Sequence, residues 1–412
     1  MPPFLKGRRM CVNKKISLGL SISLIIISIT ATFALTMVIS KQMYNKIISN
    51  ISQRSQIYES VDEISKIISN YFYGSIEDRN KLNSALAEGY VNGLNDANSI
   101  YLTSSEYDSY LEKLEGGVAG IGAETAYDYT KGKFVITHIY EGSPAEKSGL
   151  KAMDVITAIN NTAVTMSNYS ILRENLYGDR LSSVQIEYER DGVTRVIEPM
   201  LGFEIPGVIG RLEGNVGYIK INGFYKDTAS EFKALIKKLR EGGAESMVFD
   251  VRNTSDGSID YATQVIDVIV PAISENLAVA KDKNGNVYKN KVYTAENSSV
   301  SMPFIVLVNS YTKGPAELFA CDLRNISQAQ LVGTKTAGVG TMQELFALED
   351  GGAVLLTVAL VEPKGGEAAV YNKVGLTPDV EVFLSSGNDF ALGLLTTQQD
   401  NQLSTALNML AG

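Results

Sequence analysis

A long apolar run lies near the start of the chain. No charged side chain occurs from Ile16 to Ser40, and a helix needs about 20 such residues to cross roughly 30 Å of hydrocarbon. The run predicts a single-pass membrane anchor, with a cleaved signal peptide as the alternative, and either arrangement exports the rest of the chain. A cytoplasmic N-terminus at the cell membrane is predicted by the preceding basic residues, which are Lys6, Arg8, Arg9, Lys14 and Lys15.

The segment from Gln42 to Glu115 is polar, with apolar residues at helical spacing. This spacing predicts several short helices, and the pair Gly116–Gly117 interrupts the pattern. The clearest example of the spacing is Ile64, Ile67, Ile68 and Tyr71.

A change to strand-like patterns follows from Gly120 onward. Phe134–Ile136 and Val184–Tyr188 are rich in β-branched and aromatic residues. Between them, Ser143 is suited to cap a short helix that has Pro144 at its first position and ends at Gly149. We therefore predict the order strand, short helix, strand, helix, strand.

Strands and helices alternate from about Gly202, which predicts a layered α/β domain. The predicted strands are Val216–Ile221, Ser246–Arg252, Phe304–Val308 and Leu331–Gly333, and the predicted helices are Thr228–Arg240 and Pro315–Arg324.

Composition excludes several kinds of site. The 412 residues carry a formal net charge of -9, which argues against nucleic acid as a partner. Cys11 and Cys321 flank the predicted anchor, so they are not expected to pair, and His138 is the single histidine. These counts predict neither a metal site nor a cofactor, and we expect His138 to be structural.

The stretch GSPAEKSGLKAMDVITAIN, from Gly142, resembles PDZ domains of bacterial exported proteases. The resemblance places the loop that binds a peptide's terminal carboxylate at Gly120, Ile121, Gly122 and Ala123, where backbone N–H groups would capture the anion. The alternative is a glycine turn without a ligand. The pattern departs from the family at Met153, where glycine is usual, and at Tyr177, where processing proteases often have arginine.

The α/β region resembles the catalytic domain of C-terminal processing, or tail-specific, proteases, which form serine peptidase family 41. The resemblance rests on VFDVRNTSDG, IVLVNSYTKGPAELFA, LVGTKTAGVGTMQ and GLTPDVEV. It implies a ClpP/crotonase-like α/β fold and a Ser-Lys dyad, in which a neutral lysine takes the proton of a serine hydroxyl. In the turn that supports the oxyanion, Ser255 and Asp256 replace proline and glycine, and Gly257 remains.

Residue-by-residue transfer of the family's dyad gives an unexpected result. The nucleophile position is Gly314 and the general-base position is Val339, while the glutamine that orients the base is retained as Gln343. Glycine and valine can perform neither role, so the sequence predicts a non-catalytic homologue. The alternative is an active serine-type endopeptidase with a shifted dyad that cleaves exported proteins near their C-termini. Its candidate residues are Thr312, Lys313 and Lys335.

The predicted organisation has five parts: a tail and anchor (1–41), a helical segment (42–115), a PDZ domain (116–201), a peptidase-like α/β domain (202–385) and a C-terminal helical segment (386–412). The resemblance implies that C-terminal peptides or unfolded tails of exported proteins bind as partners. An active peptidase relative is a further expected partner, and the two helical segments are candidate homodimer contacts. A relic whose PDZ loop binds nothing is the third hypothesis.

Overall fold

The structure is a computed structural model. It describes residues 18–76, 78–115, 119–128, 131–165, 168, 172–173, 175–178, 180–272, 276–296, 302–385 and 389–411. The chain divides into two compact units, Met1–Asn80 and Lys81–Gly412.

The first unit contains one long helix, Leu18–Tyr71. Where several short helices were predicted after the apolar run, this helix instead continues without a break to Tyr71. Among the described residues, no helix combines the length and the apolar character required to cross a membrane. Cys11, the five basic residues before the predicted anchor and the anchor's first two positions lie outside the described residues.

The regular elements are numbered here in chain order. Helices are α1 Leu18–Tyr71, α2 Arg79–Asn92, α3 Ser104–Glu115, α4 Pro144–Lys147, α5 Thr228–Glu241, α6 Ile259–Ile269, α7 Pro315–Ser327 and α8 Asn401–Ala411. Strands are β1 Ile100–Leu102, β2 Ala119–Gly120, β3 Ala123–Asp128, β4 Lys133–Ile139, β5 Val155–Ile159, β6 Thr162–Ala163, β7 Ile186–Arg190, β8 Val193–Ile197, β9 Phe203–Glu204, β10 Val208–Glu213, β11 Val216–Ile221, β12 Ser246–Asp250, β13 Asn276–Lys281, β14 Val287–Thr294, β15 Phe304–Val308, β16 Gln330–Gly333, β17 Thr341–Ala347, β18 Ala353–Pro363 and β19 Val380–Glu381.

The PDZ region is a sheet in the order β3-β4-β5-β7-β8, with β6 paired to β5. Its short helix forms as the sequence predicted, because the Ser143 hydroxyl accepts the Glu146 N–H at 3.1 Å and Pro144 occupies the first turn. Met153 adopts a φ of 74°, a conformation that favours glycine, which explains why glycine is usual at this position.

The larger domain is built on a six-stranded sheet in the order β10-β11-β12-β15-β16-β19. Its pairs are parallel except the antiparallel β10–β11 hairpin. Helices α5, α6 and α7 contribute to an apolar core with one face of the sheet, and α8 packs on the other face. Both faces are therefore covered, as expected for strands that are apolar throughout.

A second sheet has the order β1-β18-β13-β14, with β17 also paired to β18. Its first strand, Ile100–Leu102, pairs antiparallel with Leu355–Ala353. This strand lies within the segment predicted to be helical, and its three residues are too short a pattern to reveal a strand.

Candidate functional site

Gly314 lies in a sharp turn between β15 and α7. Its φ of 54° and ψ of -113° place it in a region that residues with side chains rarely adopt. A Cβ atom added to Gly314 would meet only the Val339 carbonyl oxygen, at 4.0 Å. The turn therefore has the geometry that displays a nucleophile at a strand-to-helix junction, with room for a serine side chain.

The carboxylate of Glu317 joins this turn to the loop that contains Val339. One of its oxygens, Oε2, accepts the N–H of Gly314 at 3.1 Å and the N–H of Val339 at 2.7 Å. The other, Oε1, accepts the Gly338 N–H at 2.7 Å and the Thr336 hydroxyl. Burial raises the pKa of Glu317, and these hydrogen bonds oppose the rise. The structure thus brings the two positions predicted for the dyad together around one buried carboxylate.

The other predicted residues form no dyad with one another. Thr312 is buried, and its hydroxyl donates to the Val251 carbonyl at 2.8 Å and accepts the Asn309 N–H at 3.0 Å. Lys313 and Lys335 have exposed side chains. The side-chain amide of Gln343 donates to the Thr341 and Thr357 hydroxyls at 2.9 and 3.2 Å, so it bonds within the second sheet.

The structure contains a lysine–hydroxyl pair that the sequence analysis missed. Lys220 lies in β11, and Thr254 lies in the loop that follows β12. Lys220 donates to the Thr254 hydroxyl at 3.0 Å and to the Arg252 carbonyl. The Thr254 hydroxyl is itself committed, because it donates to the Ile221 carbonyl at 2.7 Å and the residue is 1% exposed. Burial lowers the pKa of Lys220, against the attraction of Asp250. The signal in the sequence was Lys220 itself, a charged residue in an otherwise apolar strand.

The substituted turn is held by a neighbouring helix. Asp256 pairs with Lys113 of α3 at 2.8 Å, and its carbonyl accepts the Phe224 N–H at 3.0 Å. At Gly257 the φ is 112°, and a Cβ atom would lie 2.1 Å from the Phe224 carbonyl oxygen. This packing requires glycine at position 257, whereas positions 255 and 256 accept side chains.

The predicted carboxylate loop of the PDZ domain is closed. Gly120, Ile121, Gly122 and Ala123 are all buried. The Ile121 N–H donates to the Leu176 carbonyl at 3.1 Å. A Cβ atom at Gly122 would lie 2.3 Å from the Ser143 Cβ atom and 2.9 Å from the Phe203 ring. Peptide binding at this loop stays a prediction.

His138 and Cys321 do not contribute to the hydrogen bonds around Gly314, Glu317 and Val339. His138 is exposed, and its ring stands edge-on to Tyr140 with centroids 4.8 Å apart. Cys321 is buried, and burial raises the pKa of its thiol to about 12, so it is poorly suited to act as a thiolate.

A buried ionic network lies beneath the strand ends. Arg252 donates to Asp250 and to Asp400, with shortest contacts of 2.6 and 2.7 Å, and to the Gln402 amide oxygen at 2.8 Å. Burial raises the pKa of Asp250, but attraction to Arg252 and Lys220 outweighs this effect and lowers the pKa to about 2. Because Asp400 immediately precedes α8 and Gln402 lies in its first turn, the network ties the C-terminal segment to the sheet.

This network predicts a loss of stability in acid. The pKa of Asp250 falls from 3.8 to about 2 on folding, so its contribution is present above pH 4 and is lost as pH falls from about 4 to 2. The loss corresponds to about 2 kcal/mol. We expect urea unfolding to show it as a steeper decline of the wild-type free energy of unfolding than of the Asp250→Asn variant over this range. Parallel declines would contradict the assignment.

Comparison with known proteins agrees with this architecture. The model of Peptidase family S41 matches residues 215–382 and that of the PDZ domain matches residues 117–198. The chain is 30% identical over 322 residues to the carboxy-terminal processing protease CtpA of Bacillus subtilis (strain 168), covering 77% of this chain and 67% of that protein. The chain belongs to the S41 family of C-terminal processing peptidases. The PDZ-plus-peptidase fold and the family predicted from the sequence are thereby confirmed.

Other members of the S41 family are also similar. A probable CtpA-like serine protease of Staphylococcus aureus (strain MSSA476) is 27% identical over 364 residues, covering 88% of this chain and 72% of that protein. The solved structure of an S41 protease from Bacteroides fragilis NCTC 9343 matches with a TM-score of 0.57 at 20% identity, covering 84% of this chain and 96% of that one. The structural match concerns the fold alone.

Proposed function

We propose that this chain is a non-catalytic member of the S41 family that binds peptides or unfolded protein. The observation that carries the proposal is the turn at Gly314, which keeps the shape of a nucleophile turn and faces Val339 but supplies no reacting group. Removal of members of such a catalytic unit typically costs several orders of magnitude in rate. Water attack assisted by an oxyanion hole would leave only about 10³–10⁴-fold acceleration.

Hydrolysis of a denatured, fluorescently labelled protein by the purified full chain tests this proposal. We expect turnover at least several orders of magnitude below that of the Bacillus subtilis relative, which is the positive control, because only the residual acceleration would remain. The matched variants are Thr312→Ala and Lys335→Ala for the shifted dyad and Lys220→Met for the buried lysine. Turnover by the wild-type chain that any of these variants abolishes would overturn the proposal.

An active serine-type peptidase is the second candidate, and the Lys220–Thr254 hydrogen bond favours it. For this role the Thr254 hydroxyl would have to release the Ile221 carbonyl and transfer its proton to Lys220. A fluorophosphonate probe distinguishes the two candidates. Labelling of Thr254 or Thr312, located by peptide mass spectrometry, supports the peptidase, and an unlabelled chain supports the binding role.

The binding role is proposed for C-terminal peptides or unfolded tails of exported proteins, or for an active relative. It is supported by the PDZ domain and by the retained peptidase framework. Fluorescence anisotropy with a labelled, permanently unfolded protein should show saturable binding without cleavage. Absence of binding would leave the relic hypothesis in its place. Self-association through the two helical segments is a further part of the proposal, and light scattering tests it.

Anchoring at the cell membrane is proposed on the uncharged run from Ile16 to Ser40 and the basic residues before it. The N-terminus would then be cytoplasmic and the bulk of the chain extracytoplasmic. Added protease should degrade the bulk of the chain in intact, wall-stripped cells. Complete protection, with digestion only after lysis, would contradict this orientation.

A further inference from the structure

A cavity of about 530 Å³ lies between the PDZ sheet, the ends of β11 and β12, and the C-terminal segment. Thr125 and Thr137 line it from the PDZ side, Lys220 from the large sheet, and Leu392 and Leu395 from the C-terminal segment. Its size is within the range of ligand sites, about 300–1,000 Å³, and its wall combines apolar and polar groups as such sites do.

The charge of this cavity is opposite to that of the chain. The whole chain carries -9, so an excess of basic residues in one cavity distinguishes it from the average surface. The basic lining residues are Arg173, Arg211, Lys220, Arg252 and Lys313, and the acidic lining residues are Glu124, Asp250 and Asp400.

Internal pairing accounts for part of this charge. Both acidic groups beneath the cavity, Asp250 and Asp400, are bound by Arg252. Arg211 pairs with Glu213 at 2.6 Å and lies 4.3 Å from the centre of the Tyr218 ring. Two of the basic groups that line the cavity, Arg211 and Arg252, are therefore already paired with carboxylates of the protein.

Lys220 differs from Arg211 and Arg252 in the groups that its side chain contacts. Its ammonium donates to two uncharged oxygens, those of the Arg252 carbonyl and the Thr254 hydroxyl. No ion pair of Lys220 occurs within the part of the chain that the structure describes, although Asp250 and Glu124 attract it and Arg252 repels it from greater distance. A half-buried cation without a contacting counter-ion loses solvation that an incoming anion would restore.

The PDZ wall supplies a second polar group. The Thr125 hydroxyl is buried and has no hydrogen-bond partner among the described residues, yet Thr125 lines the cavity. Buried hydroxyl groups nearly always have a partner, so such a group points to a missing acceptor. A carboxylate supplies acceptor oxygens and one negative charge, which suits the Lys220 ammonium, and the Thr125 hydroxyl, shielded from the open cavity, would reach such an acceptor only after a shift of the PDZ wall.

We infer that this cavity binds a carboxylate of a polypeptide, with Lys220 as its counter-ion and the leucines of the C-terminal segment against the adjoining apolar group. The inference rests on the proposed binding function and names its subsite. It also explains how a terminal carboxylate can be bound while the loop Gly120–Ala123 is closed. The carboxylate comes from the peptide's C-terminus or from an acidic side chain, and the experiment separates the two.

Fluorescence anisotropy with the full chain tests the site with three labelled decapeptides of one apolar sequence: the free acid, the C-terminal amide, and the amide with one internal Glu. We expect the free acid to bind at least tenfold more tightly than the amide, since a hydrogen-bonded buried charge typically contributes this much. If the Glu-containing amide binds like the free acid, a side-chain carboxylate also fits the cavity, which supports the site.

Four variants sharpen the test. Lys220→Met should abolish the preference for the free acid, and Lys220→Arg should retain part of it. Glu124→Gln should strengthen binding of the free acid severalfold, because it removes a neighbouring negative charge. Lys238→Gln, an exposed lysine of α5, is the matched control and should change nothing. Circular dichroism verifies that each variant is folded, and the gain in Glu124→Gln remains decisive if Lys220→Met does not fold.

Equal affinity for acid and amide, or a preference that survives in folded Lys220→Met, would overturn the site. So would weaker binding of the free acid by Glu124→Gln. If none of the decapeptides binds, the subsite is also refuted, while binding of the unfolded protein decides separately whether the proposed binding function stands.

Discussion

Replacing Arg252 by Met should lower the free energy of unfolding by about 3–5 kcal/mol, the usual cost of leaving buried charges without their partner. The guanidinium is 2% exposed and donates to Asp250 and Asp400. Methionine fills a similar volume but leaves both carboxylates in a poorly solvated space. Urea unfolding followed by circular dichroism measures the loss.

The control for this prediction is Arg240→Met, which changes an exposed arginine of α5 and should alter the free energy of unfolding by less than about 0.5 kcal/mol. Adding Asp400→Asn to Arg252→Met should recover part of the loss, because it removes one of the two unpaired charges. If Arg252→Met resembles Arg240→Met, the network does not stabilise the fold.

Replacing Glu317 by Ala should cost about 3 kcal/mol or more. Its carboxylate accepts three backbone N–H groups and the Thr336 hydroxyl, all at a buried site. Each donor left without a partner costs about 1–3 kcal/mol, reduced where the loop relaxes to admit water. Chemical denaturation measures the total loss.

Hydrogen exchange makes the Glu317 prediction specific. The Gly338 and Val339 amides, which donate to Glu317, should exchange faster in Glu317→Ala, since their loop loses its attachment to the Gly314 turn. Glu241→Ala, an exposed position at the end of α5, should leave both stability and these amides unchanged. Unaltered exchange at positions 338 and 339 would show that Glu317 does not hold the two loops together.

The two positions assigned to the dyad lie in local motifs, which is why the sequence could suggest them. Gly314 lies between a strand and a helix, Val339 lies in a glycine-rich loop, and the resemblance of these motifs to the family's identified both positions. The lysine–hydroxyl pair was not predictable in this way. Lys220 and Thr254 come from neighbouring elements whose parallel register, Lys220 opposite Asp250, is set by the sheet.

The sequence by itself determined the fold class, since the strand and helix periods differ and turn residues separate them. It also determined that the two positions which the family resemblance assigns to the dyad, Gly314 and Val339, carry neither a hydroxyl group nor a proton acceptor. Only the tertiary structure decided that Glu317 joins these two positions, that Phe203 packs against Gly122 of the PDZ loop and that Lys220 lines a cavity. These features depend on contacts between residues far apart in the chain, which periodicity and spacing do not encode.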